Sequence, residues 1–185
     1  EEFRGHRGPM VSVEPLTPGQ SGFSLSEPVD TSLWSPERVD EYRRTLFSEE
    51  RVVLGILSIP GLDLEVPIFD GTDDWVLNRG AGRIEGTSTP GEGGNVGIAA
   101  HRDSFFRVLQ DIAVGDTLLL ETMEGAESYS VESFQIVEPT DVWVLEPTEE
   151  PTVTLVTCYP FYFVGNAPKR FIVTAIPHQA APAVD

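Results

Sequence analysis

The chain has 185 residues, a formal net charge of −18 and one cysteine. That single cysteine excludes an intramolecular disulfide framework and a cysteine-built zinc site, while the acidic balance argues against nucleic acid and anionic lipid as partners and is most simply a solubility feature. The length suits one domain with a full hydrophobic core, and no apolar run approaches the roughly 20 residues that cross a bilayer.

The chain starts at Glu1 without a methionine, which reads as a mature or trimmed form whose signal or anchor segment is missing. Residues 1 to 33 scatter Pro, Gly, Ser and Thr without an apolar period and read as a flexible N-terminal arm, a disordered spacer in preference to a lid folded back over the groove. Residues 34 to 49 then predict a short helix docking on the core. Ser35 suits the N-cap, Pro36 the first helical position, and Trp34 with Val39 the spacing of a hydrophobic staple. Val39, Tyr42 and Leu46 fall on one helical face.

From about residue 50 to 177 the pattern is mostly β. "RVVLGILSI" and "LEVPIF" read as an antiparallel pair joined by a turn at Pro60–Asp63. "DDWVLNRGAG" predicts one or two helical turns ended by glycine, and "GEGGN" a turn. "NVGIAA" is a buried strand with His101 at its end, and "SFFRVLQD" a short helical turn. "DTLLLET", "SYSVESFQIV", "TVTLVTC" and "RFIVTAI" complete seven or eight short strands. With only small helices, they predict an all-β closed barrel. Residues 178 to 185 form a tail.

Cys158 has two readings. An isolated cysteine is often a small buried hydrophobe. Strand alternation, however, groups Thr154, Val156 and Cys158 on one side and Val153, Leu155 and Thr157 on the other, with Cys158 at the strand end where a sheet can present a reactive group. A thiol works as its thiolate, which a neighbouring cation or imidazole makes accessible. His6 and His178 lie in the arm and tail, whereas His101 closes a strand of small and branched residues. It is a structural histidine or that imidazole. Arg170 opens the strand after the "YPFYFVGNAPK" connection, so an antiparallel pair brings it beside Cys158. It is a surface arginine or a donor to a developing oxyanion. The carboxylate pairs Asp73–Asp74 and Glu149–Glu150 lack calcium-loop spacing and read as solvated charge.

"TLVTC" resembles the TLxTC signature of sortases, the cysteine transpeptidases that attach proteins to bacterial envelopes or build pili. The likeness runs from about Arg51 to Ile176, with the histidine after "NVGIAA", the cysteine of "TLVTC" and the arginine of "APKRFIV" in the family's order. The "CYPFYFVGNAPKRF" segment looks like class D. This resemblance implies an eight-stranded sortase-like β-barrel without a cofactor or metal. It implies that Cys158 attacks the Thr–Gly bond of an LPXTG-like sorting signal and forms a thioacyl enzyme. His101 would serve as acid and base, and Arg170 would steady the oxyanion or the signal's backbone. Ala100, Thr157, Tyr159 and Phe161 would bind substrate, with the loops Pro139–Pro151 and Tyr159–Lys169 lining the groove. The implied partners are a sorting-signal peptide and an amine acceptor, either a peptidoglycan stem or a pilin lysine. The implied location is the extracytoplasmic face of the bacterial membrane, through an N-terminal anchor absent from this chain. An L,D-transpeptidase-like acyltransferase is the other enzymatic reading, but "VTCYP" lacks its glycine- and serine-rich motif. A non-catalytic binding barrel is the third.

Overall fold

Apolar residues alternate or run together in short segments between turns, and in the computed structural model those segments curl into one barrel. The structure describes residues 13–15, 23–25, 31–32, 34–45 and 51–178. Most of the N-terminal arm, Leu46 and the rest of the tail beyond residue 178 lie outside the described residues. Within the arm, β1 (Val13–Pro15) and β2 (Phe23–Leu25) pair antiparallel.

Helix α1 (Pro36–Thr45) starts as its sequence dictates, with the Arg38 N–H donating to the Ser35 hydroxyl at 3.3 Å. Trp34, just before the cap, is buried edge-on against Tyr42 and Phe105. Val39 and Tyr42 pack partly buried on the main core. The aromatic anchor therefore fixes where α1 lies on the barrel.

Strands β3 (Val53–Ile59) and β4 (Leu64–Asp70) form the expected antiparallel pair, linked by a 3-10 turn at Pro60–Leu62. The short helix α2 (Asp74–Arg79) follows, its first turn capped by Asp73, which accepts from the Val76 N–H. Asp73 also pairs with Arg51, so this carboxylate closes a helix and is more than the solvated charge read from sequence. After α2 comes β5 (Ala81–Arg83), lying parallel to β4. The sequence gives no sign of this strand, because three residues with a central glycine carry no period.

Strands β6 (Asn95–Ala99), β7 (Thr117–Thr122), β8 (Gly125–Val137), β9 (Thr152–Tyr159) and β10 (Lys169–Pro177) close the barrel in the order β10-β8-β7-β3-β4-β5-β6-β9. Closure removes the sheet edges. Leu57, Val66, Ile98, Leu120, Leu155 and Val173 fill the interior, each fully or almost fully buried. Phe105 and Phe106, on the 3-10 turn Phe105–Asp111 after β6, are fully buried in the same core. A second unpredicted element is the 3-10 turn Val142–Leu145 between β8 and β9. Buried Asn95 holds it, donating to the carbonyls of Val144 and Glu146 and accepting from the Thr154 hydroxyl at 2.7 Å. Among the described residues no helix is long and apolar enough to cross a membrane.

The narrow fit at β5 is testable. A Cβ on Gly82 would lie 2.0 Å from the Gly71 carbonyl oxygen and 2.9 Å from a Val76 methyl. Since the obstacle is backbone, Gly82→Ala is expected to lower stability by about 1–3 kcal/mol in denaturant unfolding, against the usual small gain of Gly→Ala.

Candidate active site

The position of the site follows from hydrogen-bond register. Strand β9 pairs antiparallel with β10, which sets Arg170 directly opposite Cys158. On its other side β9 pairs parallel with β6, from Asn95 opposite Thr152 to Ala99 opposite Val156. The pairing continues past the strand end, because the Ala100 N–H donates to the Val156 carbonyl at 3.3 Å and the Thr157 hydroxyl donates to the Ala100 carbonyl at 2.8 Å. His101 follows two residues past the end of β6, on the side of β9 away from Arg170, so the same register carried forward brings it towards Cys158. His101, Cys158 and Arg170 thus gather in a row at one end of three consecutive barrel elements.

Alternation within β9 is as expected. Val153, Leu155 and Thr157 are buried, while Val156 and Cys158 are half-buried on the outer side. Cys158 is a free thiol. Ala100 and Thr157 share the inner side and hydrogen-bond to each other, so the substrate contacts expected of them find no support: both side chains are buried beneath the row. Tyr159 and Phe161 turn towards Phe171 with ring centroids at 6.4 and 5.3 Å, plugging the barrel end, although Phe161 also edges a groove described below. The large exposed apolar side chains of the β9–β10 loop are instead Tyr162, Phe163 and Val164. In the loop of residues 138–151 they are Val142 and Trp143.

His101 is the electrically tuned member. Burial and then the Arg38 guanidinium hold its imidazole down to about 4, against the upward pull of Asp103 and Asp74. Its Nε2 is buried without a hydrogen-bond partner among the described residues. At neutral pH the ring is uncharged. Arg170, by contrast, spends its guanidinium on the carbonyls of Ala167 and Lys169, at 3.3 and 3.0 Å.

Sequence reasoning missed the charged shell around the row. Asp103 accepts from the Ser35 hydroxyl at 3.4 Å and from Arg38 Nε at 3.3 Å. Arg38 also donates to Asn78 at 2.7 Å and pairs with Glu41. Arg102 donates to three carbonyls of the β9–β10 loop, Pro160, Phe163 and Gly165, at 2.9, 3.0 and 3.0 Å. The only hint in the sequence was that Arg102 and Asp103 directly follow His101.

The depressed His101 pKa has a consequence for stability. Its ordinary value is 6.5, so between about 4 and 6.5 the unfolded chain binds more protons there than the folded one. Stability therefore falls as pH drops through that window. Thermal melts from pH 7 to 4 are expected to show a steeper loss of Tm for the wild type than for His101→Gln, and equal slopes would contradict the assigned environment.

Comparison with known proteins places the chain and its fold. A Sortase domain family model matches residues 57–178. Among curated proteins, Sortase D of Bacillus subtilis (strain 168) is 38% identical over 120 residues, covering 64% of this chain and 61% of that protein. Sortase A of Listeria monocytogenes is 28% identical over 114 residues, covering 60% of this chain and 51% of the relative. The chain thus matches about half to three fifths of the length of these relatives. Among solved structures, a Clostridium perfringens Sortase D5 transpeptidase superposes with a TM-score of 0.63 at 28% identity, covering 76% of this chain and 89% of that one. Sortase A from Corynebacterium diphtheriae gives 0.65 at 28% identity, covering 81% and 72%.

Proposed function

Because the chain belongs to the sortase family, we propose that it cleaves an LPXTG-like sorting signal between Thr and Gly and transfers the acyl fragment to an amine. The observation that carries this reading is the row itself: a half-buried thiol near the end of β9, with an arginine opposite it on β10 and an uncharged imidazole just past the end of β6.

In the first half-reaction the Cys158 sulfur, its proton passed to His101, attacks the threonine carbonyl carbon. A C–S bond forms, the C–N bond to glycine breaks, and His101 protonates the departing amine. Arg170 leaves its two loop carbonyls and donates to the oxyanion. In the second half-reaction His101 takes the proton of the incoming amine. The amine nitrogen attacks the thioester, the C–N bond forms, the C–S bond breaks and Cys158 is regenerated. No step calls for a cofactor or metal.

The signal peptide lies on the outer face of β9 between loop 138–151 and loop 160–168, where Trp143, Tyr162 and Phe163 offer exposed apolar walls. The amine belongs to a peptidoglycan stem or a pilin lysine. The reaction takes place on the extracytoplasmic face of the bacterial membrane, where secreted proteins emerge.

Cys158→Ala is expected to abolish cleavage of an LPXTG-type peptide, followed by chromatography, while the circular dichroism melt remains cooperative. His101→Ala and Arg170→Ala should each fall by at least about 100-fold in kcat/KM. Wild-type cleavage by the cysteine variant would overturn the assignment.

A further inference from the structure

Beside the row lies a second feature that the cleavage chemistry does not use. A groove of about 740 Å³ runs between α1 and the β9–β10 loop, lined by Arg38, Arg102, Arg107, Asp103, Glu37 and Tyr162 among others. In a chain with 12 basic and 30 acidic residues, three arginines meeting in one groove are a strong local departure. Two of them are engaged: Arg38 by Asp103, Asn78 and Glu41, and Arg102 by three loop carbonyls. Arg107 differs. Its guanidinium carbon lies 4.3 Å from the centre of the Tyr162 ring, and its Nε is buried with no hydrogen-bond partner among the described residues.

We propose that this groove holds the carboxylate of the amine acceptor, with Arg107 as its anchor. The inference rests on the acyl-transfer reading above. A buried guanidinium N–H without an acceptor is costly, and a carboxylate supplies paired acceptors in matching geometry. The Tyr162 ring holds the guanidinium at the groove wall by a cation–π contact. Position ties the anchor to the chemistry. The N–H groups of Ser104 and Phe106 both donate to the His101 carbonyl, so Arg107 hangs from the same turn as the residue that must deprotonate the acceptor.

The charge balance also selects among ligands. Glu37 and Asp103 share the groove with the arginines, and the chain around it is strongly acidic. A polyanion would be repelled by that surround, whereas one carboxylate matches one uncommitted guanidinium. The sorting signal does not compete for the site, since it crosses the outer face of β9.

The probe is lysyl-alanine, which carries a side-chain amine and a C-terminal carboxylate, set against its C-terminal amide. Titration calorimetry on the full chain carrying Cys158→Ala is expected to show the free acid binding about tenfold more tightly than the amide. Adding Arg107→Gln should bring that ratio close to one, and Arg107→Lys should restore part of it. With Cys158 present, transfer rates from an LPXTG-type peptide to the acid and to the amide should follow the same ratios. Equal affinities for acid and amide, a preference that survives Arg107→Gln, or no binding of either probe would each overturn the proposal. If the free acid is preferred but the wild-type chain cleaves no sorting peptide, the groove stands and the acyl-transfer reading falls.

Discussion

Everything at the site depends on how β9 is held between a parallel neighbour and an antiparallel one. In a strand, a slip of one residue turns every side chain to the opposite face. Such a slip in β9 would send Cys158 into the barrel and bring Thr157 out. Several interactions fix the register together. Val153 and Leu155 fill the interior, Thr154 is tied to buried Asn95, and Thr157 is tied to the Ala100 carbonyl. The last of these crosses to β6 one residue before His101. The hydroxyl that fixes the height of the cysteine strand therefore fixes the height of the histidine as well. Thr157 acts as a brace for the strand from a buried position.

On that frame α1 adds an electrostatic setting. Its aromatic anchor, Trp34, docks the helix, and docking delivers Arg38 to Asp103 within the field of His101. Burial already disfavours the imidazolium, and a nearby cation disfavours it further. Asp103 works the other way, but Arg38 and Ser35 share its two oxygens. The outcome is an imidazole uncharged at neutral pH. In the proposed reaction this neutral form is the one that could take a proton. The approach of a charged or polar partner to the buried ring would have to raise its basicity. A helix outside the barrel is thereby coupled to the state of a residue on its rim.

Much of this was legible in the chain, and the reasons differ by element. The long strands declared themselves through apolar runs, α1 through Ser35, Pro36 and Trp34, and α2 through its closing glycine. The three residues of the row could be picked out because each sits at a strand end, where period and chemistry coincide. Strand β5 was invisible, since Ala81, Gly82 and Arg83 have no pattern and are strand only because β4 and β6 lie on either side. Ala100 and Thr157, which the resemblance suggested as substrate contacts, are buried; nearness in sequence to a nucleophile says nothing about which face a side chain takes. Arg38 and Arg107 were passed over because arginines on short helical turns look like solvated surface. Only tertiary packing brings residue 38 next to residue 103, and only the loop fold lays Tyr162 over Arg107.

The β9–β10 loop shows how the two halves of the proposed reaction are joined. Its inner aromatics, Tyr159 and Phe161, are stacked into the barrel end with Phe171. Its outer residues, Tyr162 to Val164, are exposed. Arg102 pins the loop from the histidine side through three carbonyls, and its guanidinium lies 5.8 Å from the Phe163 ring centre. One wall thus borders both the peptide path over Cys158 and the arginine groove beside His101. Because that wall is stapled by the residue next to His101, any shift of the loop by one ligand moves the boundary of the other's site. In the proposed reaction, donor and acceptor would approach from opposite sides of this single segment and converge on the imidazole, the one group that would exchange a proton with both.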